Sequence, residues 1–368
     1  MIQPPPARPG MAEHEVDTPA LLVDLDALEF NLDRMAALLA GTGVRLRAHA
    51  KTHKSPVIAG WQAARGAIGQ CVQKVAEAEI MAWGGVANIL VSNEVVVPTK
   101  LARLVALHGV AQVAVCADSG LGVDRIAAAA ADAGIRQDVL IEIDAGHGRC
   151  GVAPGPAAVA LAERVAASPH LRFAGLQAYH GAAQHMRSLD ERTIAIGVGA
   201  DGARRTVEQL RQRGLHCDIV GGGGTGSFEI EAASGVFTEI QAGSYCFMDA
   251  DYGRNGGGAS AGFHQSLFVL ATVMSTRPGR AVVDAGHKAV AIDSGFPLVW
   301  GGAGVAYTGA SDEHGVLSGD GDLPDLGAPI RLVPGHCDPT VDRHDWYVGV
   351  RGGRVEKVWP VAARGAMG

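Results

Sequence analysis

The feature that most constrains the fold is a regular alternation between Ala20 and about Tyr245, in which short apolar runs are each followed by a longer alanine-rich run. The apolar and β-branched runs are ALLVDL, VRLRAHA, GQCVQ, NILVSN, QVAVCAD, DVLIEID, RFAGLQAYH and CDIVGGG. The longer runs, such as GVDRIAAAAADAG, repeat apolar residues at three- and four-residue spacing, which is typical of amphipathic helices. Strands and helices that alternate in this way predict βαβ units and a parallel sheet.

The number and uniformity of these units favour a closed barrel over an open sheet. About eight units fit into roughly 230 residues, as in a (β/α)8 barrel. No interruption marks a point where the strand order of an open sheet would reverse. We therefore predict an α/β fold with a TIM-like (β/α)8 barrel over residues 20–260.

The pattern changes after Phe263. The runs that follow are β-like, are separated by Gly and Pro turns and contain no long helical pattern; they are SLFVLATVMSTRP, RAVVDAG, APIRLVPGH, WYVGVRGG and RVEKVWPV. A smaller all-β domain is therefore expected over residues 261–368, with the proline-rich arm, residues 1–19, packing on it.

Composition limits the classes of function. The 368 residues include 31 Lys+Arg and 38 Asp+Glu, and this acidic balance argues against nucleic acid as a partner because phosphate binding needs a basic face. The six cysteines form no CxxC pair and indicate the reduced thiols of an intracellular protein. The N-terminus lacks the apolar core of a signal peptide, and no apolar run is long enough to span a membrane. A cytoplasmic protein without membrane contact is expected.

Polar residues follow the predicted strands of the barrel. In barrels of this type the functional groups gather at the C-terminal ends of the strands. The residues at these ends are Lys51, Asn93, Asp118, Arg149, His180 and the glycines from Gly221. This concentration of polar side chains at one rim predicts a functional site there.

Lys51 stands in the segment HAKTHK, directly after the strand-like run VRLRA. A lysine at a strand end that faces the mouth of a barrel is desolvated, which lowers its pKa, as a lysine that forms a Schiff base requires. A solvated basic loop is the alternative interpretation of this segment.

The segment GGGGTGS, residues 221–227, follows an apolar strand. Its glycines let backbone N–H groups surround an oxyanion, and Thr225 and Ser227 add hydroxyl donors. The segment has neither the Walker lysine nor the dinucleotide-binding spacing, so it resembles the phosphate sites of late barrel loops. A plain linker is the alternative.

Two motifs with histidines complete the candidate site. In GHCDPT, an extended backbone points His336 and Asp338 to one side, where an imidazole and a carboxylate can hold a divalent ion. An accident of spacing is the alternative. In QAYHGAAQH, His180 and His185 follow a strand, and they are either catalytic bases or ordinary loop histidines.

Several segments, in order along the chain, resemble those of the metal-activated D-threonine aldolases, which are pyridoxal-phosphate enzymes with an alanine racemase-like barrel (fold type III). These segments are TPALLVDLDALE, AHAKTHKS, QKVAEAE, IEIDAGHGRCGV, GLQAYHG, GGGGTGS, QAGSYCFMD and LVPGHCDPT. The resemblance runs from about Asp17 to Gly365. It extends to the 3-hydroxyaspartate aldolases, which DADYGRN also fits, and more distantly to the D-serine dehydratases.

The resemblance implies a role for each candidate residue. Lys51 would be linked to pyridoxal 5'-phosphate, and Arg149 would donate a hydrogen bond to the pyridine nitrogen without protonating it. The other cofactor-binding residues would be Tyr179 and, near the phosphate, Gly224, Thr225, Gly243, Ser244 and Tyr245. His336 and Asp338 would bind the metal. Because the D-serine dehydratases have Cys in place of Asp338 and use zinc, Asp338 favours a harder ion, Mn²⁺ before Mg²⁺, Co²⁺ or Ca²⁺.

The implied reaction is a retro-aldol cleavage of a D-3-hydroxy-α-amino acid to glycine and an aldehyde. The metal would lower the pKa of the β-hydroxyl, and His185, or as second choice His180, would be the general base. Such enzymes are commonly homodimers with shared active sites, and the same is expected here. The alternatives are a 3-hydroxy-D-aspartate aldolase, a D-serine or 3-hydroxyaspartate dehydratase, a racemase and a non-catalytic pyridoxal-phosphate-binding protein.

Overall fold

The chain forms a closed barrel of eight parallel strands and a second sheet of nine strands, as seen in a computed structural model that describes residues 3–368 (the backbone alone at 259). The first strand, β1 (Ala20–Asp24), lies in the second sheet. The barrel strands are β2 (Arg45–His49), β3 (Gly69–Val72), β4 (Asn88–Glu94), β5 (Gln112–Ala117), β6 (Gln137–Glu142), β7 (Leu171–Gln177), β8 (Ile219–Gly222) and β9 (Glu239–Ile240). The second sheet also contains β10 (Leu267–Arg277), β11 (Arg280–Val283), β12 (Leu298–Val299), β13 (Val305–Ala310), β14 (Gly315–Gly319), β15 (Pro329–Val333), β16 (Trp346–Arg351) and β17 (Arg354–Pro360). The predicted α/β barrel followed by an all-β unit is confirmed.

Helices follow most of the barrel strands and begin at recognisable caps. The Ser188 hydroxyl accepts a hydrogen bond from the Glu191 N–H at the start of the longest helix, and Asp24 caps the first helix in the same way. The α-helices are α1 (Leu25–Leu39), α2 (Pro56–Ala63), α3 (Val75–Trp83), α4 (Pro98–Ala106), α5 (Gly120–Asp132), α6 (Pro156–Ala166), α7 (Leu189–Gln212), α8 (Phe228–Ala233) and α9 (Cys337–Val341). Short 3₁₀ helices span Glu13–Glu15, Leu107–Gly109, Ala182–His185, Ser244–Cys246, Tyr252–Arg254 and Ala259–Gly262. Within residues 3–368, none of the helices has the length and apolar character needed to cross a membrane.

The run ALLVDL, predicted as the first barrel strand, was assigned to the wrong sheet. It forms β1, which pairs antiparallel with β10 and parallel with β16. Its expected place in the barrel is taken by β9, a two-residue strand that pairs with β8 and β2. Side chains on both faces of β1 are buried, as in a barrel strand, so the local pattern cannot reveal which sheet the strand joins. The predicted barrel domain, residues 20–260, therefore loses its first strand, and its division from the second unit at residue 260 stays a prediction.

The described part of the N-terminal arm lies along the second sheet. The Gly10 N–H donates to the Val355 carbonyl at 2.8 Å, and the Val355 N–H donates to the Met11 carbonyl at 2.9 Å. The guanidinium of Arg331 in β15 donates to both carboxylate oxygens of Glu13, at 2.5 and 2.7 Å. These contacts attach the arm to β15 and β17.

A buried ion pair reinforces the short strand that closes the barrel. The Arg47 guanidinium in β2 donates to both carboxylate oxygens of Glu239 in β9, at 2.7 and 3.1 Å. Arg45 donates to the same carboxylate at 3.2 Å. The Arg47 and Glu239 side chains are 5 % and 1 % exposed. Because a bidentate pair fixes direction as well as distance, it holds β2 and β9 in register.

One apolar cluster extends from the barrel into the second sheet. It contains Leu46 and Ala48 of β2 together with Phe247 and Tyr347. The Tyr347 hydroxyl also donates to the His53 carbonyl at 2.7 Å, just beyond the loop that carries Lys51. The shared core therefore fixes the second sheet against the start of the barrel rim.

We predict that Glu239→Gln lowers the free energy of unfolding by about 3–5 kcal/mol, because it leaves the buried Arg47 charge without its partner. Urea unfolding followed by circular dichroism measures the change. The control is Glu208→Gln, which removes an exposed pair with Arg211 on α7 and should leave the midpoint unchanged. Equal midpoints for the two variants would show that the ion pair does not hold the barrel closed.

Candidate active site

A cavity of about 210 Å³ opens at the C-terminal rim of the barrel. The predicted site residues in its wall are Lys51, Arg149, Tyr179, His185, Gly224, Thr225, Gly243 and Ser244. The wall also contains polar residues that the sequence analysis did not single out, among them Gln73, Ser92, His147, Gln241 and Tyr252. The structure thus brings together residues that lie as far apart in the chain as His49 and Tyr252.

Lys51 follows β2 by two residues, and its ammonium group forms an ion pair with the Asp338 carboxylate. Burial opposes the charged form of Lys51, but Asp338, Tyr179 and Cys337 act together in the opposite direction and raise the lysine pKa. The prediction that this position lowers the lysine pKa is therefore wrong for the structure as it stands. Its physical basis, desolvation at the strand end, is present and is the largest single effect, but the neighbouring groups together exceed it.

The segment GHCDPT is not extended, so the predicted side-by-side geometry of His336 and Asp338 is wrong. Helix α9 begins at Cys337, directly after His336, and Asp338 lies in its first turn. The His336 Nδ1 atom is 2.8 Å from a carboxylate oxygen of Asp293. Burial opposes ionisation of Asp338, yet Lys51 and His336 together lower its pKa. His336 and Asp338 therefore remain electrostatic neighbours at one end of α9.

The donor set at this end of α9 fits a divalent ion. An imidazole nitrogen and a carboxylate oxygen are ligands of Mn²⁺ and similar ions, and Asp293 can orient the His336 ring by accepting a hydrogen bond from its Nδ1–H. Asp293 could not be recognised from the sequence, because it lies 43 residues before His336 in a segment without a motif.

His185 is held by a buried carboxylate. Its Nδ1 atom is 2.6 Å from Asp251 Oδ2, and the other Asp251 oxygen accepts hydrogen bonds from Arg187 and Arg254 at 2.5 and 3.0 Å. Burial opposes ionisation of Asp251, but Arg187 and His185 lower its pKa. An ionised Asp251 accepts the Nδ1 proton, which leaves Nε2 as the nitrogen that can take up a proton. Asp251 was missed as a site residue although it lies in DADYGRN.

The structure does not place His180 in the wall of the cavity. His180 is 6 % exposed, and its Nδ1 atom accepts a hydrogen bond from the Ala183 N–H at 3.3 Å. Its ring packs so tightly on Gly146 that a Cβ atom there would lie 2.8 Å from Nε2. Burial and His147 lower the pKa of His180. His147, which the sequence analysis overlooked beside Arg149, lines the cavity instead.

The glycine-rich segment supplies one free hydroxyl rather than two. Ser227 is fully buried, donates to Glu231 at 2.9 Å and accepts from Gln184 at 2.7 Å, so it stabilises the loop and does not face the cavity. The Thr225 hydroxyl is buried in the cavity wall and has no hydrogen-bond partner among the described residues. A buried hydroxyl without a partner is costly, so Thr225 is suited to an oxygen-rich ligand.

Glycine is required where the chain passes closest to the cavity. A Cβ atom at Gly243 would lie 2.5 Å from Thr52 Oγ1 and 2.8 Å from the His49 carbonyl oxygen. A Cβ atom at Gly224 would collide with the Gln184 side chain. Together with the Thr225 hydroxyl, these two glycines form a tight polar cradle that fits a phosphate group.

The remaining predicted cofactor residues divide into two groups. The Arg149 guanidinium lies 5.8 Å from the centre of the Tyr179 ring, and both side chains line the cavity. Tyr245, expected near the phosphate, is instead 1 % exposed in the core, and its hydroxyl accepts a hydrogen bond from Gln62 at 3.1 Å. Its side chain is therefore unavailable to a ligand in the cavity.

The sequence matches two described families. It matches the family "Alanine racemase, N-terminal domain" over residues 23–251 and the family "Putative serine dehydratase domain" over residues 266–350. The first match covers the barrel, and the second covers most of the remaining sheet.

Individual proteins are similar over nearly the whole chain. The D-threonine aldolase of Arthrobacter sp is 48% identical over 365 residues, which are 98% of this chain and 96% of that protein. The 3-hydroxy-D-aspartate aldolase of Paracoccus denitrificans (strain Pd 1222) is 47% identical over 368 residues, 98% of this chain and 95% of that one. The crystal structure of D-threonine aldolase from Filomicrobium marinum has a TM-score of 0.97 at 50% identity and covers 99% of this chain and 100% of its own.

Proposed function

The chain belongs to the alanine racemase-like family, and on that premise we propose that it is a D-threonine aldolase, a carbon–carbon lyase that cleaves D-3-hydroxy-α-amino acids to glycine and an aldehyde. The observation that carries the proposal is the ion pair between Lys51, in the wall of the cavity, and Asp338, which lies 287 residues later in the chain. A racemase would leave the motif around Asp338 without a role. A barrel that only bound the cofactor would not need the second sheet.

The cavity residues fit pyridoxal phosphate. Lys51 would hold the cofactor covalently, Thr225 with Gly224, Gly243 and Ser244 would bind its phosphate, and Arg149 would face the ring nitrogen beside Tyr179. When bound, the cofactor supplies the sink for the electron pair left on Cα after cleavage. Arg149 cannot protonate the ring nitrogen, because a guanidinium keeps its proton in proteins.

His336 and Asp338 would hold the divalent ion, which we propose to be Mn²⁺. When bound, the ion acts as a Lewis acid that lowers the pKa of the substrate β-hydroxyl. Asp338 belongs on this ion because its carboxylate stays ionised and lies beside Lys51. The imidazole and carboxylate set suits Mn²⁺, with Mg²⁺, Co²⁺ or Ca²⁺ as substitutes.

His185 is the proposed general base. It lines the cavity, and the buried Asp251 carboxylate fixes its tautomer so that Nε2 accepts the hydroxyl proton as the Cα–Cβ bond breaks. His180, the second choice, is buried behind the Gly146 backbone and is no longer proposed as the base. His147 lies close enough to His185 for a charge on His185 to lower the pKa of His147. This proximity supports a role for His147 in proton exchange between His185 and solvent.

Charge in the cavity favours D-threonine over 3-hydroxy-D-aspartate. The Lys and Arg side chains in its described wall are Lys51 and Arg149, and both have roles toward the cofactor. Arg187 and Arg254 lie nearby but are paired with Asp251. Within the described wall of this chain, a second substrate carboxylate would therefore find no Lys or Arg without another role. The second candidate, a 3-hydroxy-D-aspartate aldolase, is supported by the 47% identical relative.

We propose that the enzyme acts in the cytoplasm as a homodimer with shared active sites and takes a small D-3-hydroxy-amino acid as its substrate. The dimer is supported by large apolar side chains that the second sheet leaves exposed. Phe296, Leu298 and Trp300, within five residues of one another, are 44%, 57% and 53% exposed. Such a patch is typical of a protein interface.

We predict that the purified enzyme, supplied with pyridoxal phosphate and Mn²⁺, converts D-threonine to equal amounts of glycine and acetaldehyde and leaves L-threonine intact. The value of kcat/KM for 3-hydroxy-D-aspartate should be at least about tenfold lower, because its second carboxylate lacks a partner. Chromatography of amino acids and aldehydes measures the products, and Lys51→Ala is the inactive control. Ammonia with a keto acid, or L-allothreonine formed by inversion at Cα, as the product would refute the aldolase assignment.

We predict that a chelator abolishes cleavage, that Mn²⁺ restores it, and that Asp338→Ala lowers kcat by about 10³-fold even with excess Mn²⁺, since a Lewis acid supplies several kcal/mol at the transition state. The absorption spectrum of the bound cofactor should persist in both cases, because the metal motif does not form the phosphate cradle. Asp320→Ala, a change at an exposed residue directly after β14, serves as the control. Full activity of Asp338→Ala would show that the GHCDPT motif has only a structural role.

We predict that His185→Ala lowers kcat by about 10²–10⁴-fold with little change in KM, the usual loss when a general base is removed. Asp251→Asn should show part of this loss, because it permits the wrong tautomer of His185. His180→Ala should lose less than either, once circular dichroism has confirmed that it folds. A greater loss of kcat in His180→Ala than in His185→Ala would reverse the assignment of the base.

A further inference from the structure

The α-carboxylate of the substrate is a charged group for which the roles described so far provide no partner. Every D-3-hydroxy-α-amino acid carries this group. The Lys and Arg side chains in the described wall of the cavity are Lys51 and Arg149, and both have roles toward the cofactor. Recognition of the α-carboxylate by this chain therefore depends on neutral hydrogen-bond donors.

Tyr252 offers such a donor. Its side chain lies in the wall of the cavity, and its hydroxyl has no hydrogen-bond partner among the described residues. The side chain is partly buried, and the hydroxyl oxygen is not enclosed by the protein, so it can meet a ligand. Burial, together with Tyr179 and Asp249, raises the pKa of Tyr252. The phenol therefore keeps its proton and remains a donor.

Hydrogen bonds to a buried carboxylate fix Tyr252 between the proposed base and the proposed metal motif. Asp249 is 2 % exposed, and one of its carboxylate oxygens accepts a hydrogen bond from the Tyr252 N–H at 2.9 Å. The other oxygen accepts one from the Cys337 N–H, also at 2.9 Å. The centre of the Tyr252 ring lies 6.2 Å from that of His185. Tyr252 therefore lies at the end of the cavity where the proposed reaction breaks the substrate bond.

The other neutral donors and the other polar groups of the substrate already have counterparts. The Tyr179 ring lies 5.8 Å from the Arg149 guanidinium, which associates that phenol with the cofactor ring. His147 is placed for proton exchange with solvent. The substrate β-hydroxyl is served by His185 and the divalent ion. The α-carboxylate is therefore the group that remains for the Tyr252 hydroxyl.

We propose that the Tyr252 hydroxyl donates a hydrogen bond to the substrate α-carboxylate, and that Tyr252 thereby selects amino acids over amino alcohols of the same shape. This inference rests on the proposed function, because it concerns the substrate of that reaction. A hydrogen bond to an ionised acceptor is stronger than one between neutral groups. Loss of the hydroxyl should therefore weaken the binding of a ligand that carries the carboxylate and spare a ligand that lacks it.

The test uses the holoenzyme in the presence of a chelator, so that the substrate binds without being cleaved. D-threonine and (S)-1-amino-2-propanol, which has a hydrogen in place of the carboxylate, are titrated while the absorption of the bound cofactor is recorded. Tyr252→Phe should weaken D-threonine binding by about 10-fold to 100-fold and change binding of the amino alcohol by less than about twofold. The control Tyr307→Phe, which removes a hydrogen bond to the Ala285 carbonyl in the second sheet, should change neither affinity.

Steady-state kinetics with Mn²⁺ restored give an independent readout. Tyr252→Phe should raise KM for D-threonine by a similar factor and leave kcat nearly unchanged. Equal weakening of both ligands, weakening of neither, or a loss confined to kcat would overturn the role of Tyr252. A wild type that binds D-threonine but releases no glycine would overturn only the proposed function, and the titration would still decide the role of Tyr252. A cofactor spectrum that does not respond to D-threonine in the wild type would overturn both.

Discussion

Closure of the barrel depends on the ion pair between Arg47 and Glu239, and the rest of the site depends on closure. Strand β9 contributes two residues, so its backbone alone offers little to fix its register against β2. The buried bidentate pair fixes the orientation of β9 relative to β2, which so few backbone hydrogen bonds cannot do alone. Once the ring is closed, the carboxyl ends of all eight strands meet at one rim, and residues as distant as Lys51 and Thr225 share a cavity.

A second constraint joins this rim to the other sheet through the short segment Asp249–Asp251. The Asp249 carboxylate accepts a hydrogen bond from the Cys337 N–H at 2.9 Å, and the Ala250 N–H donates to the Pro334 carbonyl at the same distance. Two residues after Asp249, the Asp251 carboxylate holds His185. One segment therefore positions both the proposed base and the start of the proposed metal motif, so the two cannot move independently.

Much of the fold was predictable because local sequence patterns determine most of its helices and strands. Apolar runs and amphipathic spacing reveal elements, and their alternation reveals a barrel. The sequence pattern failed at β1 and β9 for opposite reasons. β1 is buried on both faces and therefore looks like a barrel strand, whereas β9 has two residues and leaves almost no pattern to recognise. Which sheet a strand joins is decided by pairing partners hundreds of residues away, such as β10 and β16 for β1.

The site shows the same limit at the level of single side chains. Desolvation of Lys51 follows from its place after a strand, but Asp338, Tyr179 and Cys337 together reverse the direction of its pKa shift, and no local pattern encodes their proximity. Thr225 and Ser227 are equivalent in sequence as hydroxyls in a glycine-rich loop, yet Glu231 and Gln184 engage Ser227 and leave Thr225 free. A motif therefore identifies which chemical groups are available at the rim. Contacts across the fold decide which of them are already bound within the protein and which can meet a ligand.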